Sequence, residues 1–381
     1  MTLSRRKTLA LIGGGVILAA GTAGGLTLTR TPQTAGLPWQ TAGEYAAPRM
    51  RALSYAILAP NPHNRQPWMV DLGMPDQVAL YVDTDRMLPH TDPFNRQITI
   101  GLGCFLEVLR MAALEDGLDV TFDLFPDGAD AAALDARPVA VCHFAPTDAA
   151  RDPLFAQVLN RRSLKEPFDE ARLVPDTALP TLIAAAENGT RVAASNDPET
   201  IAEMRALSHN ALRIEIETPR TYQESVDLFR IGAREVDANP DGIAFTGPLF
   251  EGLAAAGLFT RQTALDTSST ANQQGLAVVF ANTDTAMGHI WQVTQINTRR
   301  DQINTGRDWV RINLAATALG LGLQPLSQAL QEYPEIEAHY DEIHQRLAPE
   351  GGTVQMWARL GYGPEIAPSP RWPVDAKLLE I

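Results

Sequence analysis

The stretch Ala59-Pro60-Asn61-Pro62-His63-Asn64-Arg65-Gln66-Pro67-Trp68 gathers three side-chain amides, Asn61, Asn64 and Gln66, in one proline-stiffened loop. An amide offers a donor and an acceptor in one plane, which suits the edge of a flat heteroaromatic ring. The same residues also suit a structural Asx-turn ahead of a buried tryptophan. His63 and His90 are candidates for proton delivery, although a lone loop histidine is more often structural. No Ser-His-Asp order, paired-carboxylate motif or Cys/His ligand spacing stands out. Cys104 and Cys142 sit in apolar stretches, where a free thiol behaves as a small hydrophobe, so no disulfide is expected.

The elements that must hold this loop follow from local patterning. A helix over residues 44–58 feeds into it and is stopped by Pro60 and Pro62, which lack a donor and push their predecessors into extended geometry. Short strands are predicted at 68–72, 78–82, 120–125 and 139–144, with an apolar helix at 101–114 between the two pairs. An amphipathic helix at 153–160 runs into the basic run Arg161-Arg162-Ser163-Leu164-Lys165, and a further helix covers 176–186. Residues 197–300 read as a mostly helical, lid-like insert, opened by Asp197 as cap and Pro198 in the first turn. The turns Asn239-Pro240-Asp241-Gly242 and Thr246-Gly247-Pro248 interrupt it. A weak internal repeat is also present. Gly103, Met111, Ala112, Ala113, Gly117 and Leu118 match Gly306, Leu314, Ala315, Ala316, Gly320 and Leu321 at a constant offset of 203 positions (103 to 306, 118 to 321). The expected fold class is α+β, with two pseudo-symmetric halves at 44–150 and 151–381.

With 381 residues, 45% of them hydrophobic, the chain can bury a sizeable core. A net charge of −14 argues against nucleic acid as a partner. Residues 1–30 contain Ser4-Arg5-Arg6-Lys7-Thr8-Leu9 before a glycine-rich apolar run, the pattern of a twin-arginine export signal. A dinucleotide-binding fingerprint would need a preceding strand and an acid about 20 positions on, and the first acid is Glu44. An exported, periplasmic or envelope-anchored protein is therefore expected, touching membrane only through that leader. Residues 31–43 read as a linker.

The amide loop resembles the PSxxNxQPW signature of the FMN-dependent nitroreductase-like flavoproteins. Arg161-Arg162-Ser163-Leu164-Lys165-Glu166-Pro167-Phe168 is similar to that family's Arg-x-Ser-x-Arg/Lys signature, and Gly320-Leu321-Gly322-Leu323-Gln324-Pro325-Leu326 to its late Gly-Leu segment. Pro368-Ser369-Pro370-Arg371-Trp372-Pro373 resembles its basic tail. The order, amide loop first and Arg-Ser signature later, resembles the long single-chain Acg-type branch, in which one chain mimics the family's homodimer. The resemblance implies FMN as cofactor. Its phosphate would go to Arg161, Ser163 and Arg371, with Arg162 adding charge, because guanidinium groups pair bidentately with phosphate. Lys165 would reach the ring's O2 edge, and Gln324, Pro325, Leu326 and Ser327 would lie beside N5. Pro60, Asn61, Pro62, Asn64 and Gln66 would hold the ring from the other half. After its helix, the second half reads Ala185-Ala186-Glu187-Asn188-Gly189-Thr190 and lacks the amides. One FMN per monomeric chain is expected, serving two-electron chemistry between a small-molecule donor and acceptor. A quinol or redox protein would be the donor outside the cytoplasm. The alternative is a protein that holds FMN without turnover.

Overall fold

The computed structural model describes residues 31–379. Its centre is a pair of crossed helices, Arg96–Glu115 and Arg299–Ala318, each 20 residues long and displaced by the same 203 positions. Arg96–Glu115 is apolar on nearly every face, which a helix tolerates only when surrounded by protein. It is long and apolar enough to cross a membrane, yet it lies inside the core. Its start is fixed by Asp92, whose carboxylate accepts from Gln97 N at 3.0 Å and Ile98 N at 2.9 Å. A capping box between Thr298 and Asp301 starts its partner.

The helices touch at Gly103 and Gly306. A Cβ on Gly103 would overlap the carbonyl oxygen of Ile303, and one on Gly306 would overlap that of Ile100. Only glycine lets the two backbones come this close. The Cys104 thiol donates across the crossing to Gly306 O at 3.1 Å. Cys104 and Cys142 are both free and buried, and burial raises both thiol pKa values.

A sheet flanks each end of this pair. In the first half, β1 (Trp68–Asp71), β2 (Gln77–Val82), β3 (Leu118–Leu124) and β4 (Ala140–Pro146) form an antiparallel sheet in the order β1-β2-β4-β3. In the second half, β5 (Arg191–Ser195) leads into an insert carrying the short parallel pair β6 (Phe229–Ile231) and β7 (Ile243–Phe245). Strands β8 (Gly288–Thr294), β9 (Gly322–Pro325) and β10 (Thr353–Gly361) then complete a second antiparallel sheet, ordered β5-β8-β10-β9. The two sheets share one strand order, each with its long helix between second and third strands. The fold is α+β.

Three sequence expectations need correction. The insert is shorter than 197–300, because residues 288–294 are a central strand. His289, Ile290 and Gln292 are all buried, so the alternation that marks a half-exposed strand is missing. The 153–160 helix is only the short 3-10 turn Pro153–Gln157. Residues 31–43 are no free linker: the helix Leu37–Gln40 packs Trp39 inward, and Asp237 accepts from Gln33 N, Thr34 N and Ala35 N. The insert does begin as read, with Asp197 accepting from Thr200 N at 2.8 Å ahead of Pro198. The twin-arginine pattern lies outside the described residues.

Gly103→Ala and Gly306→Ala each test the crossing. The atoms in the way are backbone, so the helices must separate. We expect each to lower the unfolding free energy by about 1–3 kcal/mol or more in urea titrations.

Candidate functional site

The helix Pro48–Ala56 starts on a proline at its first position and releases the chain at Leu58, whose carbonyl, with that of Ala59, points at the second half. Two guanidinium groups meet these carbonyls. Arg371 Nη2 donates to Leu58 O and Ala59 O, both at 3.1 Å, and Arg161 Nη2 donates to Leu58 O at 3.3 Å. Arg162 lies alongside, bonding Leu159 O and Ile366 O, and the Trp39 ring is shared by Arg162 (4.9 Å) and Arg371 (5.4 Å).

Arg161 and Arg371 are buried, at 4% and 2% exposure. Among the described residues, no carboxylate forms an ion pair with Arg161, Arg162 or Arg371. Arg161 Nη1 and Arg371 Nε are buried without any partner. Burial, and the neighbouring Arg162, pull the Arg161 pKa down to about 10. Burial, with Arg161 and Arg162 beside it, lowers that of Arg371. Guanidinium still stays protonated at neutral pH, so these are cations taken from water without a counter-charge.

The same place in the other half is arranged differently. Arg311 Nε donates to Ala185 O at 2.8 Å, just past the helix Ala178–Ala184. It is equally buried, but Asp152 at 2.5 Å, Glu187 at 2.9 Å and Glu107 at 3.2 Å neutralise it. The loop beside it is closed by Asp308, which accepts from Glu187 N, Asn188 N and Thr190 N.

The amide loop is strained. His63, Asn64 and Gln66 all have φ near +50°, a region that side chains other than glycine rarely occupy. Its amides bond within the loop and to the segments beside it. Asn61 Oδ1 accepts from Gln66 N at 2.7 Å, and Asn61 Nδ2 donates to Ala59 O at 3.1 Å. Asn64 donates to Pro370 O at 3.0 Å and accepts from Arg371. Gln66, fully buried, donates to Pro240 O at 2.7 Å and accepts from Trp372 N at 2.9 Å. These bonds brace the three left-handed residues. Pro60 and Pro62 remain half-buried at the rim.

On the second half's sheet, Arg359 fixes the chain around Lys165. It donates to Leu164 O at 3.2 Å and Glu166 O at 2.8 Å, and its Nε donates to Gln324 Oε1 at 2.6 Å. Gln324 is thereby committed to the protein. Leu326 is core, its N–H bonded to Trp357 O, whereas Pro325, Ser327 and Ser163 are half-buried. Lys165 is exposed, and partial desolvation by the surrounding protein lowers its ammonium pKa despite the opposing charge of Glu215. The sequence-predicted residues thus fall into two sets: Arg161, Arg162, Arg371, Asn61, Asn64 and Gln66 around the loop, and Lys165 with 324–327 on the sheet edge.

Several residues escaped the sequence reading. Asp241, in the turn seen only as an interruption, binds Arg65, Arg86 and Arg230 and ties the insert to the amide loop. Buried Lys377 donates to Gln66 O at 2.9 Å, and burial, aided by Arg86, brings its pKa down to about 7. Nothing in the tail's sequence marks it. Burial, with Lys165 and Arg65 adding to it, drops His63 to about 4, so it is the neutral imidazole at pH 7.

No family model matches the chain. Over 79 residues it is 35% identical to the "Putative NAD(P)H nitroreductase acg" of Mycobacterium tuberculosis, covering 21% of this chain and 24% of that protein. The match thus spans about a quarter of the length of the curated relative. A solved "putative nitroreductase" from Anabaena variabilis superposes on 89% of this chain and 91% of its own, at 12% identity and a TM-score of 0.41. A nitroreductase with bound FMN from Desulfitobacterium hafniense covers 60% and 99%, at 16% identity and a TM-score of 0.34.

His63 makes the loop acid-sensitive. Its ordinary pKa is about 6.5, so between there and about 4 the unfolded chain takes up a proton that the folded one refuses. Stability should fall as pH drops through that window. Urea midpoints measured across it should show a shallower fall in His63→Asn, since asparagine also tolerates the left-handed backbone.

Proposed function

We propose that this chain is a flavoprotein that holds one FMN between its two halves, as an oxidoreductase of the nitroreductase-like, Acg type. The observation that carries this reading is the pair of buried guanidinium groups, Arg161 and Arg371, left without a carboxylate, whereas Arg311, at the carbonyl just past the other half's helix, has three. Unpaired buried charge is costly, and a bound dianion would relieve it. A phosphate monoester fits the donors present: Arg161 with its free Nη1, Arg162 and Ser163. Arg371, already committed to five acceptors, would act as clamp and counter-charge. The 35% identity to the mycobacterial protein agrees with this, over the short stretch it covers.

Bound FMN would supply two-electron transfer between a small-molecule donor and acceptor. The protein's own part is binding, orientation and a field. Lys165 would set the charge beside the ring, and the clamp through Arg371, Asn64 and Gln66 would keep the strained loop in place. The shared strand order and the Gly103–Gly306 crossing support a chain that duplicates one unit and needs no second copy. The leader sequence supports export of the folded chain by the twin-arginine route, where a quinol or redox protein would be the donor. A second reading, storage of FMN without turnover, is favoured by the insert. Its Pro240 carbonyl, Asp241 carboxylate and Gly242 N–H all bind the amide loop and hold it closed.

Purified from cytoplasm, the precursor should be yellow and should release FMN on denaturation. Arg161→Ala should weaken FMN binding by roughly tenfold to over a hundredfold, the loss of one charged-group bond of about 1.5–3 kcal/mol. The same variant without FMN should be no less stable than wild type, since it loses an unpaired buried charge. Unchanged affinity would refute the phosphate assignment. Anaerobic mixing with NADPH, NADH or a quinol separates the two readings: bleaching of the flavin band supports turnover, and persistence with every donor supports storage.

A further inference from the structure

From Ile243 to Phe259 the insert carries a single charged residue, Glu251, among Leu, Phe, Ala and Gly. The helix Pro248–Ala255 buries only that carboxylate, which accepts from Ala233 N at 2.6 Å. Its apolar residues stay at the surface. Leu249 is 44% exposed, Leu258 just past the helix is 59% exposed, and Ala255, Ala256 and Gly257 are exposed as well. A surface helix ordinarily buries its apolar stripe and shows its charges to water. This one does the reverse. The tip is nonetheless well built. Phe229, Phe245, Phe250 and Phe259 gather at its base, Phe245 lying 4.7 Å from Phe229 and 5.0 Å from each of the other two. Leu253 O accepts from Leu258 N at 2.9 Å and Phe259 N at 3.2 Å, which closes the turn after the helix. The fold thus holds the two leucines outward.

The attachments of this tip identify what it meets. Glu251 holds it to Ala233, the first residue of the helix Ala233–Ala238. Asp237, near the other end of that helix, accepts from Gln33 N, Thr34 N and Ala35 N and so fixes the leading segment of the chain. Six helical residues span about 9 Å, so tip and leading segment are anchored close together. Residues 9–28 carry no charge and have the length of a bilayer span, roughly 20 residues. Between that run and Gln33 the chain can reach at most about 18 Å. A leader held in a membrane therefore brings the tip to the same surface. Arg234, on the helix between the two attachments, is exposed and has no ion pair among the described residues.

We propose that the tip Pro248–Phe259 is a second membrane contact, resting in the lipid interface beside the leader. Leu249 and Leu258 enter the upper part of the acyl chains, and Arg234 meets headgroup phosphate. With a net charge of −14, the driving force is burial of apolar surface rather than attraction to anionic lipid. The insert is then a foot as well as a cover: it sets how the two halves stand on the bilayer, which a leader alone leaves free. The inference is independent of the FMN reading.

The test uses the full-length protein, leader included, reconstituted in phosphatidylcholine vesicles with an environment-sensitive fluorophore on Leu258→Cys. Cys104 and Cys142 are buried and do not compete for the label. A lipid nitroxide near the top of the acyl chain should quench this label several-fold more than the same label on Met74→Cys or Leu173→Cys, both exposed positions outside the insert. Adding Leu249→Asp should lift the tip and return the Leu258→Cys label to the level of those controls. The urea midpoint should stay unchanged, because Leu249 already faces solvent. Equal quenching at all three positions would overturn the proposal. So would a label shielded from water but unreached by the nitroxide, in proportion to protein density, since a second copy would then cover the tip. No step of the test uses the flavin, so failure to bind FMN would leave its outcome readable.

Discussion

Everything in this molecule is referred to one contact, the crossing of two backbones at Gly103 and Gly306. Two long apolar helices could pack at an ordinary separation through their side chains. Here they approach until carbonyl oxygens of Ile100 and Ile303 occupy the space of the missing Cβ atoms. The close approach fixes the distance between the two sheets, because each sheet is built on one of these helices. It also fixes the seam in which the Leu58 and Ala59 carbonyls of one half meet Arg161 and Arg371 of the other. Any change in the crossing is a change in that seam.

Across this near-symmetric frame the charges are not symmetric. Arg311 and Arg161 approach carbonyls just past corresponding helices, and both are almost wholly buried. One is surrounded by Asp152, Glu107 and Glu187; the other has only dipoles. A buried ion pair of good geometry roughly offsets its own desolvation, whereas an isolated buried ion does not. The first arrangement is complete in itself. The second stays folded because the remaining structure is strong enough to tolerate it.

Much of this was legible in the sequence, for identifiable reasons. The two glycines of the crossing were visible as members of a weak repeat at a constant offset, but that their backbones touch shows only in the structure. The first-half strands and the amide loop showed through alternation and proline punctuation. What stayed hidden was long-range. Strand β8 escaped because both its faces are covered, so it shows no period of two. Asp241 and Lys377 act through partners far away in the chain, and nothing near them in sequence signals it. The backbone angles of His63, Asn64 and Gln66 were hidden for a related cause: the residue types suit a ring edge, and nothing in them signals three left-handed residues braced by the same amides.

The insert lies on one side only, between β5 and β8, where the first half has the tight turn between β1 and β2. In a symmetric dimer any such growth would occur twice, once at each site. On the duplicated-chain reading it can grow once, and its contacts show the use made of that freedom. From the second half it sends Pro240, Asp241 and Gly242 to the amide loop, Glu224 to His90 and Thr91, and Asp237 to residues 33–35. All of these targets belong to the first half and its leading segment. The insert therefore ties the two halves together through contacts of its own, in addition to the helix crossing.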